Sequence, residues 1–137
     1  MSRISQDFLA SMRVSASGLA AERTRVNAAT SNLANAESTR GPDGGPYRRL
    51  DPVFEAVPTE RGGGVRTAKV VEDTSAGRKV YSPGHPDADP DGFVTLPNVN
   101  PVHEVVNLLS ASRGYDANAS ALETLKAMAQ RALDIAK

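Results

Sequence analysis

The sequence has no cysteine and no tryptophan among its 137 residues. It can therefore form no disulfide and offers no thiol nucleophile or cysteine metal ligand, so redox conditions do not restrict where it functions. Only two histidines are present, His85 and His103, and neither has a serine or a carboxylate at the spacing of a hydrolytic triad or a helical zinc pair. We therefore predict neither an enzyme nor a cofactor.

An excess of one charge is also missing, because sixteen basic residues balance sixteen acidic ones. The Lys and Arg residues form no block longer than Arg48-Arg49 or Arg78-Lys79, so the basic surface typical of nucleic-acid binding is not expected. No stretch approaches the roughly 20 apolar residues that span a bilayer, and Met1 to Phe8 lacks the apolar run of a cleavable signal peptide. The sequence therefore predicts neither a nucleic-acid partner nor membrane insertion.

Proline is absent from both ends of the chain, since all nine prolines lie between Pro42 and Pro101. Residues 1–36 and 101–137 instead carry apolar and small residues at helical spacing. We predict a mainly α protein with three regions. A helix over 1–36 and a helix over 101–137 pack as one coiled-coil-like domain, and residues 37–100 form an irregular Pro/Gly-rich centre with a small β-hairpin.

The first helix has a thin apolar stripe with alternating steps of four and three residues, which continues towards the N-terminus in a slipped register. Small residues such as Ala10, Ala20 and Ala28 lie outside this stripe, so neighbouring helices could approach on more than one side. The residues expected in its core or in a subunit interface are Ile4, Phe8, Met12, Leu19, Val26 and Leu33.

The second helix is predicted to begin at Asn100-Pro101, because Asn can cap the free amides and Pro suits the first helical position. Asn118 lies within its apolar stripe, where it either fixes the register against a partner or faces solvent. The residues expected in its core or in an interface are Leu108, Tyr115, Asn118, Leu122, Leu125 and Ala129.

One strand is predicted in the centre at Val65–Glu72, between a run of three glycines and a polar turn. Residues Arg78–Tyr81 could return against it across a turn at Gly77 and complete the hairpin. Its apolar face is sparse, so we expect it to rely on another subunit for support.

Three carboxylates at alternate positions, Asp87, Asp89 and Asp91, match the opening of a calcium-binding loop, with Gly92 at the sixth position. The twelfth position is Asn98, where a bidentate Glu is expected, and the surrounding prolines exclude flanking helices. An acidic, proline-rich turn is therefore the preferred interpretation. A calcium-responsive or regulatory helical binding module is the alternative.

Two short motifs lie in the first helix, Ser15 to Leu19 and Asn32 to Ala36. They resemble the N-terminal signature of the bacterial flagellar axial proteins, which comprise rod, hook and hook-associated subunits. The tract from Tyr81 to Asp89, with Pro97-Asn98 and the segment Ser110 to Asn118, is more narrowly similar to the proximal rod subunits of that family. A sister proximal rod subunit is the nearest rival. The motif residues are Ser15, Gly18, Leu19, Asn32, Leu33, Asn35, Pro97, Asn98, Arg113, Tyr115 and Asn118.

This resemblance implies that the terminal helices form the D0 domain of a structural subunit of the proximal rod. Such a subunit polymerises helically with itself, with sister proximal and distal rod proteins and with the rod-base adaptor, and transmits torque from motor to hook. The resemblance also implies a location in the periplasm-spanning rod of the basal body. Export would use the flagellar type III apparatus without a cleaved signal. The candidate export element is Ile4, Phe8, Leu9 and Met12, for which simple helix packing is the preferred interpretation.

Overall fold

The computed structural model describes residues 3–41, 43–59 and 62–135. Two long helices, α1 (Arg3–Ala34) and α2 (Pro101–Ile135), enclose four strands along the chain. The strands are β1 (Leu50–Thr59), β2 (Gly62–Glu72), β3 (Arg78–Tyr81) and β4 (Phe93–Leu96). The predicted class, mainly α with a small β-hairpin, is confirmed.

Helix α1 ends at Ala34, two residues before the predicted boundary, because a tight turn follows in which Ser38 N donates to Asn35 O at 3.1 Å. The expected apolar residues Phe8, Met12, Leu19, Val26 and Leu33 are half-buried, while the side chain of Ile4 lies outside the described residues. Among the described residues of this helix, most of those that are fully buried are alanines: Ala10, Ala21, Ala28 and Ala29 are each less than a tenth exposed. Small side chains let neighbouring elements lie close to the α1 backbone on several sides.

Helix α2 begins as predicted. Asn100 Oδ1 accepts hydrogen bonds from the amides of Val102 at 3.0 Å and His103 at 3.3 Å, and Pro101 occupies the first helical position. These bonds satisfy amides that lack partners inside the helix. Glu104, in the first turn, suits the positive helix end, and its side chain is only 2% exposed because it belongs to the site described below.

The two helices pack against each other in antiparallel orientation. Gly18 of α1 meets Asn118 of α2, Glu22 meets Gly114, and Asn32 bonds to Glu104, so residue numbers fall along α2 as they rise along α1. At the first two contacts a glycine of one helix receives a polar side chain of the other. The helices therefore approach closely in one specific register.

The strand pairing differs from the predicted one. Strand β2 pairs antiparallel with β1, Leu50 lying opposite Glu72, whereas β3 pairs antiparallel with β4. The predicted pairing of Val65–Glu72 with Arg78–Tyr81 is therefore wrong. Gly77 does not return the chain onto β2; a Cβ at that residue would clash with the carbonyl oxygen of Leu96 in β4.

Helix α1 lies between α2 and the β1–β2 hairpin. The hairpin runs along α1: Val65 N donates to Ser17 Oγ at 3.1 Å, Thr67 Oγ1 lies 3.3 Å from Thr24 Oγ1, and Leu50 bonds to Asn32. The hairpin thus packs on a helix of its own chain. Helix α1 therefore contacts both α2 and the β1–β2 hairpin, whereas β3 and β4 contact each other.

Candidate assembly surfaces

Asn32 joins α1 to the start of β1 and to α2 through a complete set of hydrogen bonds. Its Oδ1 accepts from Leu50 N at 2.7 Å and from the Tyr47 hydroxyl at 2.9 Å. Its Nδ2 donates to Leu50 O at 2.9 Å and to Glu104 Oε2 at 3.1 Å. The side chain is 1% exposed, so these bonds replace the water that it loses on folding.

Arg49 neutralises the buried carboxylate of Glu104. Its Nε donates to Glu104 Oε1 at 2.7 Å, and its Nη1 lies 3.4 Å from Asp51 Oδ1. Its backbone is held by Asn98, whose Oδ1 accepts from Arg49 N at 3.1 Å. A buried carboxylate requires such a cation and such hydrogen bonds. We call Asn32, Tyr47, Arg49, Asn98 and Glu104 the polar knot.

Tyr47 remains a neutral donor within the polar knot. Burial, followed by the negative charges of Glu104 and Glu72, raises the pKa of its hydroxyl above the ordinary value. All three effects disfavour a phenolate, so the O–H bond to Asn32 Oδ1 persists at physiological pH. The knot therefore combines one neutral hydroxyl, two amides and one ion pair.

Asp87, the first of the three carboxylates in the calcium-like motif, bonds to the loop that follows α1. Thr39 Oγ1 donates to Asp87 Oδ2 at 2.8 Å, and Arg40 forms a hydrogen bond and an ion pair with Oδ1. The hydrogen bonds from Arg40 and then Thr39 lower the pKa of Asp87 below its usual value. This carboxylate therefore links the residue 39–40 loop to the β3–β4 connection.

The remaining two carboxylates of the motif do not join Asp87. Asp89 Oδ1 accepts from the amides of Asp91 at 3.0 Å and Phe93 at 2.8 Å, and so shapes the turn before β4. Within the described parts of the chain, no three acidic, His or Cys side chains are grouped so that they could hold a metal ion. The motif is thus a hydrogen-bonded turn in this structure.

The start of α2 exposes an apolar face on the side opposite Glu104 and Ala111. Val102 is 70% exposed and Leu109 is 55% exposed, with Val105 and Val106 between them. Their spacing of three and four residues places all four on one side of the helix. We call these four residues the outer α2 face. Exposed apolar clusters of this kind typically mark contact surfaces.

The motif residues fall into four groups in the structure. Asn32 and Asn98 belong to the polar knot beside the buried Pro97, and Gly18 and Asn118 form the helix contact. Asn35 closes α1 by donating to Ser31 O at 2.9 Å. The others lie elsewhere on the helices: Ser15, Leu19 and Leu33 are half-buried, and Arg113 and Tyr115 are exposed.

The other predicted interface residues of α2, namely Leu108, Leu122, Leu125 and Ala129, are half-buried. In the candidate export element, Leu9 is exposed while Phe8 and Met12 are half-buried. The sequence did not identify Arg49 or Tyr47 as site residues. A buried acid in the first turn of α2 required a cation, but nothing in the local pattern indicated which of the sixteen basic residues would supply it.

Comparison with known proteins agrees with this architecture. Residues 12–42 match the family model described as flagella basal body rod protein, and residues 91–135 match the model described as flagellar basal body rod FlgEFG protein C-terminal. The flagellar basal-body rod protein FlgC of Salmonella typhimurium is 48% identical over 124 residues, which cover 89% of this chain and 92% of that protein. The chain belongs to the FlgC family of flagellar basal-body rod proteins.

More distant FlgC proteins align over even more of the chain. Those of Borreliella burgdorferi and Bacillus subtilis are each 38% identical, and each alignment covers 93% of this chain and 97% of the relative. The chain is therefore a structural subunit of the flagellar basal-body rod, and its family assembles with other rod proteins. The alternative function, a calcium-responsive or regulatory binding module, gains no support. Neither α1 nor α2, as far as they are described, is long and apolar enough to cross a membrane.

Proposed function

We propose that this chain is a subunit of the proximal rod that polymerises helically with itself and with sister rod proteins, and that carries torque from motor to hook. The outer α2 face is the observation that supports this proposal most directly. One side of α2 already packs on α1, and a second apolar side remains exposed. A helix with apolar residues on two sides is suited to burial between elements.

The arrangement favours an open array. The outer α2 face and the hairpin lie on different sides of the subunit, separated by α1. A contact between unlike surfaces of identical subunits repeats without closing unless the rotation between them completes a ring. A rod is an open array of this type, and its partners would include the sister proximal and distal rod proteins and the rod-base adaptor.

Torque transmission requires that the helices and the hairpin turn together. The polar knot supplies this connection, because Asn32, Arg49 and Glu104 come from α1, the segment before β1, and α2. Removing one partner of a buried ion pair is strongly destabilising, so the knot resists separation of these elements. The two glycine contacts between the helices resist sliding in the same way.

Export through the flagellar type III apparatus without a cleaved signal is part of the same proposal, with Ile4, Phe8, Leu9 and Met12 as the recognition element. The exposure of Leu9 is consistent with recognition, while the half-burial of Phe8 and Met12 is consistent with packing. Phe8→Gln and Leu9→Gln would be scored for secretion in a strain blocked in rod polymerisation. Loss of secretion in both supports recognition, whereas unchanged secretion leaves these residues with packing alone.

The assembly proposal is tested by placing a charge on the outer α2 face. Leu109→Glu and Val106→Glu should abolish swimming and rod-containing basal bodies in a strain that lacks its own copy of the protein, because a carboxylate cannot be buried there without a partner. Ala121→Glu, exposed on a different side of the same helix, is the matched control and should retain both. Secretion of all three should be normal. Normal rods in the Leu109→Glu strain would refute the assignment of this face.

A further inference from the structure

Two contacts, one near each end of the β1–β2 hairpin, define its hydrogen-bonding phase, that is, which residues bond to the partner strand and which direct their amides outward. Asp73 N donates to Arg49 O at 2.8 Å. Arg49 and Asp73 are therefore a hydrogen-bonded pair, and they lie just beyond the first ladder pair, Leu50 and Glu72. Hydrogen-bonded and non-hydrogen-bonded pairs alternate in an antiparallel ladder. Every second residue of β1 therefore directs its amide and carbonyl away from β2. These outward residues are Leu50, Pro52, Phe54, Ala56 and Pro58.

A second contact, near the other end of the hairpin, gives the same phase. Val65 lies opposite Ala56, and its amide donates to Ser17 Oγ on α1 at 3.1 Å. Its N–H therefore points away from β1, as expected for a non-hydrogen-bonded pair. The phase thus holds on both sides of the register shift between Val53 and Phe54.

Three of the five outward positions on β1 cannot pair with another strand. The Asn32 carboxamide occupies both backbone groups of Leu50, accepting from its N–H and donating to its carbonyl. Pro52 and Pro58 have no N–H to donate. Only Phe54 and Ala56 keep outward amides, so the open edge is about three residues long, shorter than the usual strand of about five or six.

The outer edge of β2 is interrupted as well. Ser17 occupies the amide of Val65, and the register shift leaves Ala68 without a partner on β1. The exposed Lys69 adjoins this bulge. Bulges and lysines are both features that keep exposed sheet edges from pairing with other chains.

We infer that this hairpin is closed to strand addition on both edges, with Pro52 and Pro58 as the blocking residues of β1. A neighbouring subunit that meets the hairpin must then bind through side chains, from a helix or a loop, and not by extending the sheet. The inference depends on the hairpin alone and does not require the rod assignment. It also explains how subunits can be crowded in an assembly without forming cross-β aggregates.

The first test restores the missing amides. The purified full-length chain carrying Pro52→Thr and Pro58→Thr should sediment more and bind more thioflavin T than the natural chain at equal concentration. Pro86→Thr, in an exposed loop, is the matched control and should behave like the natural chain. Equal sedimentation by the double variant and the control, with equal helical circular dichroism, would overturn the inference.

The second test introduces a proline at an outward position of β1 and, separately, at an inward position. Ala56→Pro removes an outward amide and should preserve amide exchange protection across β1 and β2, whereas Glu55→Pro removes an inward amide and should abolish it locally. Glu55→Ala separates loss of the side chain, which pairs with Arg66, from loss of the amide. Equal loss of protection in Ala56→Pro and Glu55→Pro would show that the edge assignment is wrong.

Discussion

Gly18 of α1 lies so close to Asn118 of α2 that a Cβ on residue 18 would come within 2.6 Å of Asn118 Oδ1. The Asn118 carboxamide is held in place, because its Nδ2 donates to Gly114 O at 2.9 Å. Gly114 in turn accommodates Glu22, whose Oε1 would lie 2.7 Å from a Cβ there. Each helix thus supplies one glycine and one polar side chain, and a shift of either helix would lose both contacts.

The Gly18 contact predicts a strong coupling with Asn118. Gly18→Ala alone gains about 1 kcal/mol of helix propensity but displaces Asn118, so its net effect should be near zero or unfavourable. In an Asn118→Ala background the clash is gone, and the same substitution should stabilise the chain by about 1 kcal/mol. Urea unfolding of the four variants, followed by helical circular dichroism, measures the coupling. Simple additivity would contradict this account of the contact.

Replacement of Asn32 should be among the more damaging changes in the chain. Asn32→Leu leaves the Leu50 backbone groups, the Tyr47 hydroxyl and Glu104 short of partners, and should lower the free energy of unfolding by about 3 kcal/mol. The matched control is Asn27→Leu, at an exposed position of the same helix, which should change it by less than about 0.5 kcal/mol. Similar losses in the two variants, measured by urea unfolding, would show that the buried bonds contribute little.

The same substitution at two ion pairs should have unequal effects. Glu104→Gln removes the charge opposite Arg49 in the buried pair and should cost about 3 kcal/mol. Glu55→Gln removes the partner of Arg66 on the exposed hairpin and should cost less than about 0.5 kcal/mol. Added salt should weaken only the second pair, because exposed charges are screened. Unfolding measured at low and high salt checks both statements, and a salt-sensitive Glu104 contribution would contradict the first.

Acid should release the contact between the loop after α1 and the β3–β4 connection. The pKa of Asp87 is lower in the folded chain than its ordinary value of 3.8, so its contribution is complete above that value and is lost as the pH falls through the lowered one. Amide exchange near Thr39, followed from about pH 5 to about pH 2, should show this release. Asp87→Asn should remove the pH dependence, whereas Asp43→Asn, in an exposed loop, should retain it. An unchanged profile in Asp87→Asn would assign the transition to another group.

The helices were predictable because their signals are local. Asn100 and Pro101 define the start of α2 from adjacent residues, and the absence of proline from both ends leaves long uninterrupted periodic segments. The end of α1 was misplaced by two residues because the turn after Ala34 is made by Asn35 and Ser38, which do not break a helical pattern. Local rules therefore described the helices well and their boundaries less well.

Strand β1 was not predicted because its prolines indicate a loop unless it is known that their positions face the outer edge of a sheet. Pro52 and Pro58 are compatible with a strand only where the amide faces outward, and that direction depends on the partner strand. The Arg49–Glu104 pair was missed for a similar reason, since the two residues are brought together by the helix register and by the hydrogen bond from Arg49 N to Asn98. Both features depend on contacts between distant segments, which periodicity does not encode.

The hairpin is anchored unequally along its length. At its base, Leu50 is bonded on both backbone groups and adjoins the ion pair of the polar knot, whereas nearer its tip the hairpin is held by the hydrogen bond from Val65 N to Ser17 Oγ. The hairpin is therefore held firmly at its base and less firmly towards its tip. A lateral force on its distal end would separate the hairpin from α1 there first, and the contact at Leu50 would be the last to yield.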